Sequence, residues 1–137
     1  MQAKHQVQIS QSQQAQVARL LLQANLAYGE SNSNGLSHIR RLKARQECRG
    51  YLNEALALEP QNAGGLGLLG RVEMDDGQLE KAHTLFNASL DHQPGQVQQY
   101  CNLGYWALKT ERPALAEQYF LQALDCDRQS AAAFCGV

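Results

Sequence analysis

Long apolar runs are missing from this chain of 137 residues. Apolar stretches such as residues 20–22 and 131–134 fall far short of the roughly 18 residues that a membrane-spanning helix needs. The chain does not open with a charged and then apolar segment of the kind that directs export. Of the four cysteines, Cys48, Cys101, Cys126 and Cys135, none forms a CxxC pair or has a CxxH neighbour, which argues against a disulfide framework or a zinc site. His5, His38, His83 and His92 are scattered without HExxH, so no metal or cofactor is expected. Net charge is only −1, which excludes a global field aimed at nucleic acid or membrane. Free thiols and the absence of a span read as cytoplasmic, unless an export signal has been trimmed.

What the chain does have is a period of 34 residues. Pro60 recurs as Pro94, Leu56 as Leu90 and Leu124, Leu52 as Phe86 and Phe120, and Cys48 as Ala82 and Ala116. The pair Leu69-Gly70 recurs as Leu103-Gly104, and the offset does not slip. A fixed offset of this length marks stacked copies of one helix-turn-helix unit, because each copy buries its apolar face only against its neighbours. Such repeats make a binding scaffold a better expectation than an enzyme.

Within each unit, apolar residues recur at three- and four-residue spacing between breakers, which predicts two amphipathic helices, A and B. In the second unit A spans about 63–76 and B about 79–92, with Asp75-Asp76-Gly77 between them. In the third, Glu111-Arg112-Pro113 makes the same turn. Gly70 and Gly104 on A, and Cys48, Ala82 and Ala116 on B, let the two helices approach closely.

Leu-Gly on A, a small residue followed four later by an aromatic on B, and a closing proline resemble the tetratricopeptide repeat. Leu69-Gly70, Ala82, Phe86 and Pro94 carry the likeness in the second unit; Leu103-Gly104, Ala116 and Phe120 carry it in the third, where Arg128 replaces the proline. The resemblance implies an all-α fold, a right-handed α-solenoid of about three helix pairs plus the first helix of a fourth. It covers about 18–137 and is most specific over 48–126. The expected organisation is a Gln-rich flexible N-terminus at 1–12 and a repeat domain at 13–137, divided as repeat 1 at about 18–62, repeat 2 at 63–96, repeat 3 at 97–130 and a partial repeat at 131–137. An insertion near 33–45 either lengthens the first B helix at its N-terminal end or bulges the turn before it. Glu73 stands where the family usually has tyrosine, so either its carboxylate reaches solvent or helix A ends early. The apolar run 131–137 makes a poor cap, which points to an excised piece of a longer protein or to a last helix that self-associates.

In this family the concave surface is lined by A helices, and B helices form the outer layer. Carried over, those positions give Arg19, Leu22 and Leu26; Gly64, Gly67, Arg71 and Met74; Gln98, Cys101, Tyr105 and Leu108; and Ala132 and Cys135. Of the residues with which co-chaperone members hold a terminal carboxylate, only Asn102 matches, which disfavours a chaperone-tail receptor. The resemblance therefore implies a protein or peptide partner in a groove, in a non-catalytic scaffold; the alternative is the N-terminal recognition domain of a larger enzyme of transferase or hydroxylase type. Two further features read as structural. Residues 65–70 spell GxGxxG but fall inside helix A rather than between a strand and a helix, so they do not bind a dinucleotide. Arg40, Arg41, Lys43, Arg45 and Arg49 lack interleaved aromatics and read as a solvated helix face.

Overall fold

The computed structural model describes residues 10–134, with side chains described through residue 129. The described residues form six helices: α1 Gln11–Ser31, α2 His38–Leu58, α3 Ala63–Asp75, α4 Leu79–His92, α5 Val97–Lys109 and α6 Pro113–Phe134. Among the described residues there is no strand. The fold is all-α, made of antiparallel helix pairs of the kind that build α-solenoids. Two compact units divide between Gly65 and Leu66, inside the first turn of α3.

Helix α1 begins earlier than the apolar pattern alone predicts. Ser10 caps it: the Gln13 backbone N–H donates to Ser10 Oγ at 3.1 Å, and the Ser10 N–H donates to Gln13 Oε1 at 3.0 Å. This reciprocal pair satisfies two backbone donors at the helix start, so Gln11 and Ser12, expected in the flexible tail, belong to the helix. Residues 1–9 of the Gln-rich segment lie outside the described residues. In the insertion, residues 38–45 form the N-terminal part of α2, which Ser37 caps by accepting from the Arg40 N–H at 3.2 Å. Residues 32–37 make the connection. The first unit closes as Val17, Leu20 and Ala55 meet, with Leu21, Tyr51 and Leu58 at the edge. Ala24, Ala44 and Cys48 are buried too, small enough to bring α1 and α2 together.

The second unit is built on two glycines. A Cβ placed on Gly70 would stand 2.5 Å from the Phe86 ring, and one on Gly104 would stand 2.5 Å from the Phe120 ring. Each aromatic therefore occupies the space a Cβ would take, and the glycines cannot be replaced without moving a ring. Met74, Ala82, Phe86, Leu103, Trp106, Ala107 and Ala116 form the core. Both A helices end in one motif. Gln78 N–H donates to Glu73 C=O at 2.8 Å and Gly77 N–H to Met74 C=O at 3.0 Å; one repeat on, Arg112 N–H donates to Ala107 C=O at 2.8 Å and Glu111 N–H to Leu108 C=O at 3.1 Å. This closure needs a left-handed residue, supplied by Gly77 at φ 82° and by Glu111 at φ 61°.

Two expectations meet a different local geometry. Glu73 neither reaches solvent nor ends its helix: it is buried at 3% exposure, inside α3, with Lys81 Nζ 3.7 Å from its carboxylate. That ion pair offsets part of the burial cost. At the other end, α6 runs without a break through residues 131–134, where a new helix was expected. Arg128, unlike Pro60 and Pro94, retains its backbone N–H and leaves the ladder intact. Residues 135–137 and the side chain of Ala132 lie outside the described residues.

Candidate functional site

The A helices were expected to supply the working surface, and each unit places its share separately. In the first unit Arg19, Leu22 and Leu26 are all exposed, at three- and four-residue spacing on one face of α1. Beside Leu26 a cleft of about 210 Å³ opens between α1 and α2, lined by Gln23, Ala27, Glu30, Glu47 and Tyr51.

In the second unit the residues divide into three groups. Gln98, Tyr105 and Leu108 are exposed along α5, with Cys101 half-buried in the same stripe. Arg71 and Asn102 form the fixed part. Arg71 Nη1 donates to Asn102 Oδ1 at 3.1 Å, and Gln98 Nε2 donates to the same oxygen at 3.2 Å. The Asn102 amide is buried and donates in turn to Gln99 Oε1 at 3.1 Å. A half-buried guanidinium is thereby held on a buried amide, which reduces the conformational freedom it would lose on meeting a ligand. Tyr105 stands beside this group on α5, its ring edge-on to Phe120 with centroids 5.3 Å apart.

The third group does not face solvent. Met74, expected in the groove, is buried in the core with Trp106 and Ala107. Gly67, also expected in the groove, lies under the Gln99 side chain, and a Cβ there would collide with the amide. Both residues sit where α5 covers α3, so their helix face is an interface between repeats. Gly64 is exposed. The GxGxxG run lies within α3, its glycines used for packing.

An aromatic stack is not legible in the repeat pattern. His83 falls on helix B, expected in the outer layer, but its ring stacks on Trp106 at 4.2 Å between centroids. Arg112 lies 5.6 Å from the same indole on its way into the α5–α6 turn, and Trp106 Nε1 donates to Leu79 C=O at 2.8 Å. The indole thus ties α4, α5 and the following turn together. The only sequence signal for it is the single tryptophan itself. Among the described residues, Cys48 is buried and its thiol is pushed up to about 11, because burial disfavours the thiolate and Arg49 offsets this only in part. Cys101 and Cys126 are half-buried, while Cys135 lies outside the described residues. No three His, Cys, Asp or Glu side chains among the described residues are grouped to hold a metal. None of the described helices is long and apolar enough to cross a membrane.

A search of the curated proteins finds no match. Among solved structures the chain is similar to MamA, residues 41 to the end, from Desulfovibrio magneticus RS-1. That match has a TM-score of 0.57 and 18% sequence identity, and covers 86% of this chain and 70% of that one. A family model described as tetratricopeptide repeat matches residues 68–131, the stretch that holds both packing glycines and both aromatic partners. Residues 68–131 therefore belong to the tetratricopeptide repeats, a helical-repeat family of protein-interaction scaffolds.

Proposed function

We propose that this chain is a non-catalytic scaffold that binds a protein partner, as an extended peptide or a helix, on the exposed face of its A helices. The observation that carries the reading is the arrangement on α3 and α5: a guanidinium fixed by Asn102, the exposed amide of Gln98 and the exposed ring of Tyr105. A cation, a two-way hydrogen-bonding group and an aromatic on one rigid surface suit a peptide, whose backbone needs donors and acceptors and whose side chains need apolar contact. The exposed stripe Arg19, Leu22 and Leu26 offers the first unit's share of the same chemistry.

The test is quantitative capture of partners from a lysate by the chain, by Arg71→Glu and Tyr105→Ala, and by His92→Ala as a control on the exposed end of α4. The reading expects the first two to lose at least about tenfold of the captured partner while His92→Ala retains it. His83→Ala is unsuitable as the control, since its ring supports Trp106. Equal recovery by all four proteins would remove the A-helix face from the account.

A further inference from the structure

Two asparagines lie close together in the connection between α1 and α2, and only one of them is held. Asn32 Nδ2 donates to Tyr28 C=O at 3.2 Å, and the N–H of the next residue, Ser33, donates to Glu30 C=O at 3.1 Å. Asn34 has neither restraint. Its side chain makes no hydrogen bond among the described residues, and nor does the N–H of the following residue, Gly35. Asn34 and Gly35 are both exposed at the centre of a turn, and Gly35, at φ 86°, has no heavy atom within 4 Å of where a Cβ would stand. Of the asparagines among the described residues, Asn34 alone precedes a glycine. A carboxamide free to rotate therefore stands next to an unbonded backbone N–H that no side chain shields, the arrangement from which an asparagine can cyclise.

We infer that Asn34 is a site of spontaneous deamidation that changes the charge of this connection. The Gly35 nitrogen attacks Asn34 Cγ, the Cγ–Nδ2 bond breaks, and ammonia leaves with the proton that the Gly35 nitrogen gives up, so that a cyclic succinimide remains. Solvent water then opens the ring. Addition at the side-chain carbonyl gives aspartate, and addition at the backbone carbonyl gives isoaspartate, in which the main chain runs through Cγ. Either product places a carboxylate at the approach to α2, whose first turn holds no acidic residue. Arg41 lies close by, since its Nη2 donates to the C=O of Ser33, the residue before Asn34, at 3.4 Å. An anion ahead of a helix N-terminus meets positive partial charge, so the first unit accommodates the new carboxylate. The change falls in the segment where the first repeat departs from the 34-residue period, and it needs no residue of the Arg71 and Asn102 surface.

The experiment is incubation of the whole folded chain at mildly alkaline pH, with samples taken over time for isoelectric focusing and for peptide mapping by mass spectrometry. Isoaspartate is detected by enzymatic methylation of its free carboxylate. A more acidic species should accumulate, its Asn34 converted to a mixture of aspartate and isoaspartate while Asn32 keeps its amide. Asn34→Ser should abolish that species. Asn34→Asp, which stands for one product, should melt no lower than the parent chain. An Asn34 amide that persists, or conversion of Asn32 at the same rate, overturns the assignment. Aspartate formed without isoaspartate overturns the cyclic route, since direct hydrolysis gives aspartate only, and a lower melt of Asn34→Asp overturns the claim that the first unit accommodates the product.

Discussion

Met74 and Leu108 occupy the same position of successive repeats, yet Met74 is 4% exposed and Leu108 is 49% exposed. The difference lies in the cover each receives from a later helix: α5 covers Met74, and no described residue covers Leu108. Their substitutions should therefore diverge. Met74→Ala removes buried volume and should lower stability by about 2–5 kcal/mol, whereas Leu108→Ala should cost less than about 1 kcal/mol. Urea midpoints of the two variants measure this directly.

The two packing glycines should also respond unequally. Alanine in place of Gly70 would press on the Phe86 ring, which is fully buried and has no room to yield; overpacking of this kind costs about 1–3 kcal/mol. Gly104→Ala meets Phe120, which is half-buried beside an open cleft between α5 and α6 and can swing aside. There the gain in helix propensity, about 1 kcal/mol, offsets most of the crowding. Thermal melts of both single variants should place Gly70→Ala well below Gly104→Ala.

At the ends of α3 and α5 the same left-handed position holds Gly77 and Glu111. A side chain there costs on the order of 1–2 kcal/mol, a strain that glycine lacks. Glu111→Gly should stabilise the chain by up to about 1 kcal/mol, the larger freedom of glycine in the unfolded chain taking back part of the gain. Gly77→Ala should destabilise by a similar amount, as read by denaturant titration.

Alkaline pH should expose the burial of Cys48. Its thiol ionises at about 11 in the folded chain against an ordinary value of 9.0, so between these values the folded state holds a proton that the unfolded state has lost. The contribution is fully present below about pH 9 and disappears as pH rises toward about 11, a loss on the order of 2–3 kcal/mol. Stability measured across this range should fall, and Cys48→Ala should flatten the fall. Native chain treated with a thiol reagent near neutral pH should be modified at Cys101 and Cys126 before Cys48.

Much of the second unit is legible in the sequence because each repeat checks the next. The 34-residue offset makes Gly70 equivalent to Gly104 and Phe86 to Phe120, and Gly77 and Pro113 mark the turns of the helix pairs. What escapes is set by neighbours rather than by position within a repeat. Met74 and Gly67 read as groove residues until α5 is seen to cover the first and Gln99 the second. Glu73 reads as a departure from the repeat, and its partner Lys81 lies across a turn on the next helix. The early start of α1 depends on Ser10 and Gln13, a polar capping pair invisible to apolar periodicity. On the candidate surface, Arg71, Gln98 and Tyr105 are carried over from the family resemblance, while the buried amide that fixes Arg71 emerges only from packing.

The central claim, that the chain binds a protein partner through the exposed face of its A helices, is tested most directly by isothermal titration of a captured and purified partner against the chain, Tyr105→Ala and His92→Ala. The account predicts a dissociation constant raised at least about tenfold by Tyr105→Ala and unchanged by His92→Ala, with all three proteins keeping the same helicity. Equal affinity of the chain and Tyr105→Ala, or a larger loss in His92→Ala, would contradict it.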